Sequence, residues 1–136
     1  MPHTTRIKVR GYHIDLYGHV NNARYLELLE EARWAFFEER GDLQRFLASD
    51  LALVVVNINI DYRYPATMGD VLAIECTIPT IGHRSAVIHQ QVLLDGSATV
   101  VASADVTFVA FSAQQKKAVQ LGGELKTMLE SMQETQ

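Results

Sequence analysis

The spacing of apolar residues between positions 22 and 41 predicts one long amphipathic helix. Asn21 or Asn22 can cap its first turn by accepting a hydrogen bond from a free backbone N–H, and Gly41 is a natural terminator. A second, short helical segment follows at residues 43–48. The apolar stripe of the long helix comprises Tyr25, Leu28, Leu29, Ala32, Ala35 and Phe36, and the carboxylates Glu27, Glu31 and Glu38 lie opposite.

From residue 54 onward the pattern changes from helical spacing to alternation, which predicts β-strands. The first of these strands, which we expect to be half-buried, ends before Pro65, and the next two end at Gly82 and Gly96. The alternating apolar residues are Val54, Val56, Ile58, Ile60 and Tyr62; Leu72, Ile74, Cys76 and Ile78; Ala86, Ile88, Val92 and Leu94; and Ala98, Val100, Ala102, Ala104, Val106 and Phe108.

Two further segments complete the predicted order of elements. Arg6–Ile14 alternates and breaks at Gly11, which predicts a strand with a bend, and residues 121–132 return to helical spacing. Consecutive strands joined by short turns are antiparallel, and an early helix with an apolar stripe must bury that stripe against the sheet. The sequence therefore predicts an α+β fold in a single domain over residues 1–136.

The composition limits the classes of partner. The formal net charge is -4 at pH 7 and the basic residues are scattered, so we expect no nucleic acid partner. The chain has no run of about 20 apolar residues and no apolar N-terminal segment, so we expect neither membrane insertion nor export. Its single cysteine, Cys76, excludes an intramolecular disulfide and favours a cytoplasmic location.

Two motifs resemble a known family. Asp15 to Tyr25 reads DLYGHVNNARY, and this D-x-x-G-H-V-N-N-x-x-Y segment resembles the active-site segment of the 4-hydroxybenzoyl-CoA thioesterase-like hotdog family. Tyr62 to Ala66, followed by Gly69-Asp70, is similar to the Y-R-x-P-A and G-D residues of that family. The stretches 8–34 and 54–66 resemble the long-chain acyl-CoA thioesterases of bacterial fatty-acid degradation.

The resemblance implies a hotdog domain, in which an antiparallel sheet wraps around one long central helix, here followed by a C-terminal helix. It also implies hydrolysis of an acyl-CoA to a free acid and CoA. Asp15 is then either the nucleophile or the base that activates water, and backbone N–H groups of the first helical turn polarise the thioester carbonyl. The catalytic candidates are Asp15, His19, Asn22 and Tyr25.

Several of these residues also have a structural interpretation. His19 either orients Asp15 or the thioester or forms local hydrogen bonds, Asn22 is a candidate cap, and Tyr25 on the apolar stripe favours core packing. The chain has no G-x-S-x-G motif, and Cys76 lies on the inward phase of a strand, so we expect no serine or cysteine nucleophile. His13 and His19 have no third ligand nearby in sequence, so we expect no metal and no cofactor.

Binding of CoA requires cations for its phosphates, and arginine suits a fixed geometry best. The resemblance points to the segment after Gly82 as a nucleotide-contacting position. It also implies a homodimer or homotetramer with active sites at the protomer interface. The candidate CoA-binding residues are Arg63, His83, Arg84 and Ser85.

The acyl group is the least determined part of the substrate. Trp34 lies on the polar side of the helix, flanked by Leu26 and Phe37, and this mixed apolar patch indicates a contact surface for a partner subunit or for the acyl chain. Together with the small Ala residues of the last predicted strand, it favours an apolar tunnel for a long aliphatic chain. An aromatic acyl group is the alternative that the broader family suggests. A non-catalytic acyl-binding protein is disfavoured because it should lack Asp15, and a hotdog dehydratase or hydratase is disfavoured because the motif does not resemble one.

Overall fold

The computed structural model describes residues 1–134, which form three α-helices, one 3-10 turn and six strands. The helices are α1 (Asn22–Arg40), α2 (Leu43–Leu47) and α3 (Gly123–Glu134), and the 3-10 turn is Gly11–His13. The strands are β1 (His3–Lys8), β2 (Leu51–Tyr62), β3 (Val71–Ile81), β4 (Ser85–Leu94), β5 (Val100–Ser112) and β6 (Lys117–Val119).

All strand pairs are antiparallel and form one sheet in the order β1-β3-β4-β5-β2. The short strand β6, which the sequence pattern did not predict, pairs with β5 at Ala110 to Ser112, just beyond the point where β4 begins. Strand β2 lies at one edge of the sheet, and among residues 1–134 it pairs only with β5. The structure confirms the predicted α+β class, the antiparallel sheet and the closing helix.

The apolar stripe of α1 packs in the core, as predicted. Tyr25, Leu28, Leu29, Ala32 and Phe36 are buried, while Ala35 is partly exposed. This burial supplies most of the stability of such a helix, because apolar area is removed from water.

One buried polar side chain fixes α1 on the sheet. Gln90 of β4 is fully buried, and its amide nitrogen donates to the backbone oxygen of Leu29 over 2.9 Å. Its amide oxygen accepts from the Arg33 guanidinium over 3.0 Å. Because a buried amide without partners is costly, these bonds favour one register of the helix against the strand.

The prediction for the first strand was wrong in its bounds. The strand begins at His3, ends at Lys8 and is followed by the 3-10 turn. The backbone N–H of Arg10 donates to Nδ1 of His13 over 2.8 Å, and the His13 N–H donates to the Arg10 oxygen over 3.0 Å. These local bonds close a turn where the alternating pattern predicted extended backbone.

The prediction of a half-buried strand at residues 54–62 was wrong for part of its length. Val54, Val56 and Tyr62 are exposed, whereas Ile58 is partly buried and Ile60 is partly buried against the core. A bulge between Val55 and Asn57 shifts the pairing with β5 and breaks the alternation. The edge position also leaves one side of β2 without a neighbouring strand within residues 1–134.

Candidate active site

The loop that carries Asp15 is a tight turn tied to its own flanks. The Asp15 N–H donates to the His19 oxygen over 2.8 Å, and the Gly18 N–H donates to the Asp15 oxygen over 3.0 Å. Gly18 has a φ of 79°, in the left-handed region that glycine adopts without a Cβ penalty. Val20 is buried, and its N–H donates to the Ala66 oxygen over 2.9 Å. These bonds hold the Asp15 loop in place against the segment that leads into α1.

The two oxygens of the Asp15 carboxylate have different surroundings. Oδ1 accepts the backbone N–H groups of Tyr17 over 2.9 Å and His19 over 3.3 Å. Oδ2 has no hydrogen-bond partner in the part of the chain that the structure describes. Backbone bonds to one oxygen orient the group, so the other oxygen is available to a substrate or to water.

The first turn of α1 leaves one backbone donor free. Asn21 is the N-cap: its side chain accepts from the Ala23 N–H over 2.9 Å, and its backbone oxygen accepts from the Arg24 N–H over 2.9 Å. The N–H of Asn22 has no hydrogen-bond partner among residues 1–134. The interpretation of Asn22 as the cap was therefore wrong, because Asn21 takes that position and Asn22 is the first helical residue.

A polar cavity of about 500 Å³ gathers these groups. It contains all four predicted catalytic candidates and one of the four CoA candidates, Arg63. Asp15 and Asn22 therefore line one cavity at the N-terminal end of α1, which is the positive end of the helix dipole. The lining residues are Asp15, His19, Val20, Asn21, Asn22, Tyr25, Tyr62, Arg63, Tyr64 and Pro65.

His19 and Tyr25 have different surroundings. The His19 side chain is exposed, and its backbone bridges to Thr67. Tyr25 is only 4% exposed and belongs to the core, and burial raises the pKa of its phenol. Tyr25 therefore packs as its place on the apolar stripe suggested, while a catalytic role for either side chain stays a prediction.

Tyr62 is a site residue that the sequence analysis missed. Its hydroxyl donates to the backbone oxygen of Asn22 over 2.9 Å, and its ring meets the Tyr25 ring edge-on at 5.5 Å between centroids. The motif from Tyr62 to Ala66 contained the signal. The alternating pattern, however, assigned Tyr62 only to the apolar face of a strand.

The remaining CoA candidates lie far from Asp15 within one chain. His83 and Arg84 are exposed in the turn before β4. The next residue, Ser85, pairs with Val109 of β5, and Val109 in turn pairs with Val54 of β2, so the turn lies level with the start of β2. Tyr62, beside the Asp15 cavity, lies eight residues further along β2. At roughly 3.3 Å per residue, this separation is about 26 Å.

A second, mostly apolar cavity of about 410 Å³ lies between α1, α2 and the start of β2. It includes Trp34 and Phe37 of the predicted apolar patch but not Leu26, and Glu30 is among its lining residues. Its apolar lining consists of Trp34, Phe37, Leu43, Phe46, Leu47, Leu51, Ala52, Leu53, Val55, Ile88 and Phe108.

The described residues give little support to a cysteine nucleophile or a bound metal ion. Cys76 is buried beside Gln90, and burial raises the pKa of its thiol to about 11, so it remains a protonated packing residue at neutral pH. No group of three His, Cys, Asp or Glu side chains within residues 1–134 could hold a metal ion. No helix in that range is long and apolar enough to cross a membrane.

Comparison with curated proteins finds a close relative. The long-chain acyl-CoA thioesterase FadM of Escherichia coli K12 is 48% identical over 128 residues, which cover 94% of this chain and 97% of FadM.

Solved structures with the same fold include two thioesterases. The probable thioesterase YbaW of Escherichia coli superposes with a TM-score of 0.88 at 48% identity, covering 95% of this chain and 97% of that one. Slr0204, a 1,4-dihydroxy-2-naphthoyl-CoA thioesterase from Synechocystis, superposes with a TM-score of 0.81 at 24% identity, covering 93% of each chain, which shows the fold alone. The predicted hotdog fold is confirmed.

The model of the thioesterase-like superfamily matches residues 9–130, which include the Asp15 loop, α1 and the whole of strands β2 to β6. With this match and the 48% identity to FadM, the chain belongs to the thioesterase-like superfamily.

Proposed function

We propose that this protein hydrolyses long-chain fatty acyl-CoA to free fatty acid and CoA at the Asp15 cavity. The observation that carries the proposal is that Asp15, with one oxygen unpartnered, lines the same cavity as Asn22, whose N–H has no hydrogen-bond partner among residues 1–134. A carboxylate and an oxyanion donor are the two groups that thioester hydrolysis requires. A cytoplasmic location is part of this proposal.

The Asn22 N–H and the positive end of α1 stabilise the negative charge that develops on the thioester oxygen. Oδ2 of Asp15 has two routes to the same products. In one, it attacks the carbonyl carbon, CoA thiolate leaves, and water hydrolyses the acyl anhydride. In the other, it removes a proton from water, the water attacks, and the thiolate leaves and is protonated. Because thiolate is a good leaving group, a weak carboxylate nucleophile suffices.

The apolar cavity supports a long aliphatic acyl group. Its lining is mostly aliphatic and aromatic, and each methylene buried there contributes roughly 0.8 kcal/mol. The relative FadM carries the name of a long-chain enzyme, which points to the same acyl class. An aromatic acyl group, the alternative substrate, would need much less apolar depth.

A homodimer would unite the separated parts of the site. Val54, Val55 and Val56 are exposed at the free edge of β2, and such an edge favours pairing with another strand. If β2 pairs antiparallel with β2 of a second copy, the start of one strand lies beside the end of the other. That arrangement brings Arg84 and the apolar cavity of one protomer toward Asp15 of its partner, as a protomer-interface site requires.

Removal of the Asp15 charge tests the catalytic assignment. We expect Asp15→Asn to fold normally and to lower kcat for a long-chain acyl-CoA by at least about 100-fold, because it removes a positioned nucleophile or base. The matched control is Asp105→Asn, an exposed aspartate on β5 that bonds His89 and lies outside both cavities. Steady-state thiol release measures both variants, and near-normal turnover of Asp15→Asn would contradict the proposal.

A series of straight-chain acyl-CoAs tests the acyl class. We expect kcat/KM to rise by up to roughly fourfold per methylene until the apolar cavity is full. Trp34→Ala should weaken the preference for long chains and spare short ones. Leu26→Ala is the control, because Leu26 is about as exposed on the same helix but lies outside the cavity. A better kcat/KM for benzoyl-CoA or short chains, assayed below micelle-forming concentrations, would overturn the assignment.

Substitution of Arg84 tests the CoA site. We expect Arg84→Ala to raise KM much more than it lowers kcat, because a remote phosphate contact contributes mainly uniform binding. An unchanged KM would assign Arg84 to the solvent-exposed surface.

A mixture of Arg84→Ala and Asp15→Asn protomers, refolded together, tests whether the site is shared. A shared site places an intact Asp15 beside an intact Arg84 in each mixed dimer. Activity at low substrate concentration should therefore exceed the sum of the two separate variants. Activity equal to that sum would show that each chain uses its own Arg84.

A further inference from the structure

Tyr62 connects the end of the edge strand to the first turn of α1. It is the last residue of β2, and its hydroxyl reaches the backbone oxygen of Asn22, 40 residues earlier in the sequence. Asn22 itself is exposed and takes no part in the core. Within residues 1–134, the Tyr62 hydroxyl is therefore the side-chain group that hydrogen-bonds Asn22 from outside the helix.

The contact acts on the residue that carries the free donor. A helical carbonyl oxygen has two lone pairs, so the Asn22 oxygen can accept from Tyr62 as well as from the helix. Helix ends fray because their first turn has few bonds. The bond from Tyr62 holds the peptide unit that follows Asn22. It therefore limits rotation about the φ and ψ bonds of Asn22 and so restricts the direction of the Asn22 N–H.

The Tyr62 ring has a rigid support. It packs edge-on against Tyr25, with planes at 63°, and Tyr25 is buried in the core. This contact holds the ring, so the hydroxyl keeps its position relative to α1. Removal of the hydroxyl alone should leave the ring contact and the fold in place.

We propose that Tyr62 is a positioning residue, which holds the Asn22 N–H in line with the thioester oxygen. The inference rests on the proposed function, because it assigns Asn22 as the oxyanion donor. A donor must be fixed before the reaction to stabilise the transition state. Tyr62 therefore contributes to the chemical step and not to the affinity for the substrate.

Tyr62→Phe tests this role. We expect kcat to fall on the order of 10-fold, as the loss of one hydrogen bond would give, with KM and the unfolding midpoint close to those of the wild type. Amide hydrogen exchange at Ala23 to Tyr25, whose N–H groups are bonded in the first turns of α1, should become faster, and this second readout does not depend on activity. The matched control is Tyr12→Phe, because Tyr12 is 69% exposed and lies outside the cavity.

The two proposals fail in different ways. Unchanged kcat and unchanged exchange in Tyr62→Phe, with Asp15→Asn inactive, would overturn the role of Tyr62 and leave the function intact. A rise in KM without a fall in kcat would also overturn it, because Tyr62 would then contribute to binding. If the wild-type protein releases no thiol from any acyl-CoA, the proposed function fails, whatever the exchange rates show.

Discussion

The capping of α1 by Asn21 is the interaction on which the site depends. By accepting the N–H groups of Ala23 and Arg24, Asn21 satisfies the first turn and leaves the Asn22 N–H free. Two further contacts hold the same turn against the rest of the fold: Tyr25 is buried in the core, and the Val20 N–H donates to the Ala66 oxygen. The helix therefore has an unbonded donor, the Asn22 N–H, at its positive end, and Asn22 lines the same cavity as Asp15.

The elements that form locally could be predicted from the sequence. The stripe from Tyr25 to Phe36 predicts α1 almost to the residue, because any fold that contains this helix must bury its apolar face. The strands from Val71 to Ser112 follow from alternation for the same reason. Asp15 was found through a motif, since spacing alone does not distinguish a catalytic carboxylate from a turn residue.

Features set by contacts between distant residues could not be predicted. The exposure of Val54 and Val56 follows from an edge position and a bulge, and both depend on which strands become neighbours. The bond from Tyr62 to Asn22 joins residues 40 apart, for which a single sequence carries no spacing signal. The distance of Arg84 from the Asp15 cavity likewise follows from the order of the strands. Because of this distance, we propose that Arg84 of one protomer serves the Asp15 site of the other.

The most direct test of the central claim is a crystal structure with an acyl-CoA analogue in which a methylene replaces the thioester sulfur. The account predicts that the ketone oxygen lies about 3 Å from the Asn22 nitrogen, with Oδ2 of Asp15, or a water bound to it, facing the ketone carbon. A ketone oxygen bound by other groups, with Asp15 directed away from the carbonyl, would contradict it.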